Sequence, residues 1–72
     1  MRLSKRDTYQ LTKPIESLSE SELRDTKFAL NFRWMGHVRK GHVEAAKRAQ
    51  ALSNEIRAEL AKRVQDEHLK AA

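Results

Sequence analysis

The chain has 72 residues, 6% aromatic side chains, no cysteine, and 15 basic against 10 acidic groups for a formal net charge of +5. That length holds one small domain with a marginal core, so association is the expected source of extra stability. The lack of cysteine excludes a disulfide staple and a thiolate metal site, and no apolar run approaches the roughly 18 residues of a membrane span. A soluble, cytoplasmic protein is expected.

Residues 1–18 read as an N-terminal arm. Arg2, Lys5 and Arg6 are followed by no apolar stretch, which is unlike a secretory signal. Tyr9 and Leu11 alternate with polar neighbours, a short strand-like pattern, and Pro14 ends any regular element there. The arm is expected either to dock Tyr9 or Leu11 on helices or to pair as a strand with another chain.

Residues 19–72 read as a helical hairpin, with a first helix over about 19–40, a turn near 36–42 and a second helix over about 43–69. Ser19 followed by Glu22 is a capping box, and Leu18 with Leu23 has the spacing of a hydrophobic staple. Gly41 suits a left-handed helix stop behind the basic Arg39 and Lys40. Gly36 is a second candidate stop, and one helix running through both glycines is the remaining alternative.

The first helix carries apolar side chains on two opposite sides. At about 100° per residue, Leu23, Leu30, Trp34 and Val38 share one face, while Phe28, Phe32 and Met35 fall nearly opposite. A single hairpin partner covers only one of these faces. The other is left for a second chain or a target. Trp34 is expected in the core or as an interface anchor beside the turn.

On the second helix, Ala45, Ala49, Leu52, Ile56, Leu60 and Val64 form one slowly drifting stripe. The alanines near the turn, Ala45, Ala46, Ala49 and Ala51, are expected to make room for Phe32, Trp34 and Met35. Glu44–Arg48, Glu59–Arg63 and Asp66–Lys70 are acid-before-base pairs of helical spacing. The second helix overhangs the first, so Val64 and Leu69 are expected to meet the arm or another subunit.

No acidic residue lies between Asp25 and Glu44, so Arg33, Arg39, Lys40, Lys47 and Arg48 make a basic patch around the turn, with His37 and His42 beside it. Such a patch binds nucleic-acid phosphates or an acidic protein surface. The histidines are five apart and lack the spacing and carboxylate company of a helical metal pair. No nucleophile is grouped with a base, and two glycines make no phosphate loop. Neither a catalytic residue, nor a metal site, nor a cofactor is expected.

The segment Leu30-Asn31-Phe32-Arg33-Trp34 resembles, over five residues, a stretch in a family of basic helical-hairpin ribosomal proteins. The second helix, at Asn54-Glu55-Ile56-Arg57-Ala58-Glu59-Leu60, lacks that family's paired basic residues followed by Ile-Ala. The sequence points to an all-α hairpin that dimerises into a four-helix arrangement. Its expected role is non-enzymatic: a small adaptor or inhibitor, of the kind phages and mobile elements carry, that engages a larger protein. Phe28, Phe32, Met35 and Trp34 are its expected contacts with that partner or with a second copy. The alternative is an RNA- or DNA-binding protein acting through the basic turn and arm.

Overall fold

Capping chemistry sets both ends of the first helix. The computed structural model describes Leu11 and residues 13–71. Helix α1 spans Glu20–Lys40 and α2 spans Val43–Ala71, preceded by a single 3-10 turn at Ile15–Ser17. Ser19 Oγ accepts from the Glu22 backbone N–H at 3.1 Å, and Glu22 Oε1 accepts from the Ser19 N–H at 3.1 Å. Both halves of the capping box are therefore made. Leu18 and Leu23, the staple pair, are both buried in the core.

Helix α1 passes straight through Gly36 and stops at Gly41, whose φ of 75° is left-handed. The early stop at Gly36 and the uninterrupted single helix are both set aside by this geometry. The closure is a Schellman motif. The Gly41 N–H donates to the Val38 carbonyl at 3.2 Å, and the His42 N–H to the His37 carbonyl at 2.8 Å. That pattern brings the side chains on either side of the stop together, and the His37 and His42 rings lie 5.9 Å apart. The spacing of these histidines thus follows from how the helix ends.

The two-residue connection folds α2 back along α1 as an antiparallel pair. At 1.5 Å per residue the 21 and 29 residues of the helices run about 32 and 44 Å. The core is one layer deep: Leu18, Leu23 and Leu30 meet Ala49, Leu52 and Ile56, with Leu11, Ile15 and Leu60 packed on its edge. Docking of Leu11 agrees with one expectation for the arm. Tyr9 and the strand alternative fall outside the described residues. Thr26, also buried, donates its hydroxyl to the Glu22 carbonyl at 2.7 Å and so needs no partner from α2.

Several expected core positions are not buried. Val64 is 64% exposed. Steps of four residues advance about 40° each round a helix, so by Val64 the stripe has turned away from α1. Leu69 is exposed on the overhang, and Ala51 is exposed as well. Val38 lies about 80° round from Leu30 and is also exposed. The overhang is tied to the preceding segment through Arg63, beside Val64, and not through Val64 or Leu69 themselves. The Arg63 guanidinium donates to the carbonyls of Ile15 at 3.5 Å and Glu16 at 3.3 Å, and its Nε to Glu59 at 3.1 Å.

Candidate association surface

The outer side of α1 is built by the same periodicity that builds its inner side. Leu23, Thr26 and Leu30 face α2 and are buried. Phe28, Phe32 and Met35 lie 140–200° away from Leu30 round the helix; they are 64%, 63% and 46% exposed. The two phenyl rings pack edge to face, with centroids 5.0 Å apart and planes at 68°. Such a pair is favourable beyond its area, so the rings form one preorganised apolar ridge. The α2 alanines do not receive Phe32 or Met35, because those side chains point the opposite way. Ala45, Ala46 and Ala49 are instead buried themselves, near the turn.

Trp34 belongs to neither side. It lies some 40° round from Leu30 and is 38% exposed, outside the buried cluster. Across from it α2 presents Ala49 and Ser53, which are too small to cover an indole. The result is a groove of about 220 Å³ between the helices, lined by Leu30, Trp34, Ala49 and Ser53 with the polar Asn31, Gln50, Asn54 and Arg57. The indole wall was a legible candidate in the sequence. The amide-bearing side chains were not singled out there, because their meeting depends on the register of the two helices.

All five residues of the basic patch, Arg33, Arg39, Lys40, Lys47 and Arg48, are exposed. Arg39 and Lys40 end α1, and Lys47 and Arg48 lie in the second turn of α2, so four of them cluster at one end of the hairpin. Arg33 sits two turns back along α1. Lys47 is 4.0 Å from Glu44, a pairing at spacing three in place of the expected Glu44–Arg48. At the opposite end of the hairpin, Arg24 pairs with Glu20.

Among the described residues, the titrating group whose environment shifts it is Glu22. Hydrogen bonds from the Ser19 backbone and side chain hold its carboxyl below the usual 4.5, with a smaller contribution from Lys13. This is helix-cap chemistry. Among the described residues, no three His, Cys, Asp or Glu side chains come together as metal ligands, and no helix is long and apolar enough to cross a membrane. No family profile, curated protein or solved structure matches the chain.

Proposed function

We propose that this chain is a non-enzymatic binding protein of adaptor or inhibitor type. It works by protein association through the outer face of α1. Pairing of two hairpins through that face makes a four-helix arrangement, and it leaves the Trp34 groove and the Lys40, Lys47 and Arg48 side of the basic turn open toward a larger protein. The observation that carries this reading is the edge-to-face Phe28–Phe32 pair with Met35 beside it, all largely exposed on the side of α1 away from α2. A ridge of two phenylalanines in water is unfavourable unless something covers it, and aromatic residues and Met are what interface centres are enriched in.

A photo-cross-linking residue placed at position 28 tests the reading, with the same residue at the exposed Glu55 on α2 as control. Adducts to polypeptide at position 28, resistant to nuclease and absent at position 55, are the expected result. Absence of polypeptide adducts at position 28, at every protein concentration and in source-cell extract, would reject it.

A second reading is favoured by the basic cluster at the turn, which has the charge of a phosphate-binding surface. In that case affinity for duplex or single-stranded nucleic acid falls steeply with salt, and reversing Lys40 and Arg48 to Glu removes it. For a protein target, charge reversal at these positions mainly slows association.

A further inference from the structure

The outer face of α1 is not simply apolar. Asp25, Phe28, Phe32, Met35 and Arg39 follow one another at spacings of three, four, three and four, so they form one stripe. Phe32 lies at its middle. Asp25 is seven residues before it and Arg39 seven after, each about 10.5 Å along the axis. We infer that a second copy of this chain occupies this face with its α1 antiparallel, about a two-fold axis at Phe32, placing Asp25 of each copy against Arg39 of the other. The inference rests on the reading of this face as a protein contact between two hairpins and adds the direction and the register of that pairing.

Charge complementarity selects the direction. A two-fold interface joins a patch to itself, so the patch must be self-complementary under reversal. Reversed about Phe32, the stripe matches acid with base at both ends and Phe28 with Met35 between them. A parallel pairing sets Asp25 against Asp25 and Arg39 against Arg39. Both residues are exposed, and neither makes an ion pair among the described residues, although Arg24 next to Asp25 is paired with Glu20.

Gly36 supplies a second, independent observation. It sits inside α1 with no special backbone angle, and a Cβ built on it meets nothing within 4 Å. Nothing among the described residues requires glycine there, and an interior helical glycine is destabilising relative to alanine. Gly36 borders the stripe one turn past Phe32, with Ala29 the equivalent position two turns earlier. Small residues flanking a helix stripe admit the backbone of a second helix at close range. One face of a 21-residue helix is small for a specific interface, so the dimer forms at micromolar rather than nanomolar concentration.

The test uses the full chain, in sedimentation velocity from about 1 to 200 µM. Wild type is expected to pass from monomer to dimer across that range. Asp25→Arg and Arg39→Asp each put like charges at both ends, and each is expected to weaken the dimer about tenfold. Mixed in equal amounts, the two singly substituted chains become complementary and form a heterodimer tighter than either homodimer. Circular dichroism checks that these surface changes leave the helices intact.

Direction is read separately from a nitroxide on Ser21→Cys, in a chain that has no other cysteine. The antiparallel register places the two labels about 30–40 Å apart, and a parallel dimer places them within about 20 Å. A wild type still monomeric at 200 µM, a short label distance, or a mixture no tighter than its components would each overturn the inference. A monomer that nevertheless cross-links to another polypeptide from position 28 removes the self-association and leaves the broader reading standing.

Discussion

Replacing Ile56 by Ala tests whether the hairpin core is where the stability lies. Ile56 is fully buried at the centre of the inter-helix layer, against the leucines of α1. The substitution deletes three carbons from that layer, and at about 0.8 kcal/mol per buried methylene the transfer loss is about 2.4 kcal/mol. The cavity left behind adds to this, as in other large-to-small core changes of about 2–5 kcal/mol. A two-helix layer collapses more readily than a thick core, which places the expected loss near 2.5–3.5 kcal/mol. A chain of 72 residues has a total stability of only about 4–11 kcal/mol, so the effect is large.

The assay is urea unfolding followed by circular dichroism at two protein concentrations, since association adds a concentration-dependent part. Val64→Ala is the matched control on the same stripe. It is mostly exposed and is expected to change stability by no more than about 0.5 kcal/mol. An Ile56→Ala loss below about 1 kcal/mol, or one equal to that of Val64→Ala, would show that the layer is not the core described.

The glycines should respond in opposite directions: Gly41→Ala strains a left-handed residue and is expected to destabilise by about 1–2 kcal/mol, whereas Gly36→Ala is expected to stabilise the isolated hairpin by about 0.5–1 kcal/mol, both measured by thermal unfolding of dilute protein. Glu22 has a carboxyl held below 4.5 in the folded state, so its contribution is present above that value and is lost as pH falls through the lower folded value. Glu22→Gln is therefore expected to lower stability at pH 7 and to lose less than wild type on acidification below about pH 4.5; identical pH profiles would contradict the capping role. Arg63→Ala removes the link from α2 to the Ile15 and Glu16 carbonyls, and faster amide exchange at Ser17 and Leu18, with α1 unchanged, is the expected outcome.

Much of this fold was legible because its signals are local. Ser19, Glu22, Leu18 and Leu23 mark a helix start within six residues, and Gly41 marks its end by a backbone angle that glycine adopts without strain. The burial of Leu23, Leu30, Ala49, Leu52 and Ile56 follows from helical period alone. What escaped depends on register and on neighbour size. Trp34 has nearly the angular position of a core residue, but the Ala49 and Ser53 opposite are too small to cover it. Val64 continues a pattern of fours that rotates out of the interface. The groove amides Asn31, Gln50 and Asn54 lie on two helices whose relative register no single-helix pattern encodes. The exposed Phe face was legible for the opposite reason, since a helix with apolar residues on both sides leaves one side uncovered in a two-helix fold.

The chain contains only two phenylalanines, and both lie on the outer face of α1. Uniform labelling with 4-fluorophenylalanine therefore reports on that face alone. Fluorine spectra recorded as the protein is titrated from about 1 to 200 µM test the central claim directly. Both resonances are expected to shift or broaden together toward a buried environment as concentration rises, and Arg39→Asp is expected to displace that change to higher concentration. Two sharp resonances that hold a solvent-exposed shift over the whole titration, and that ignore Arg39→Asp, would contradict self-association through this surface.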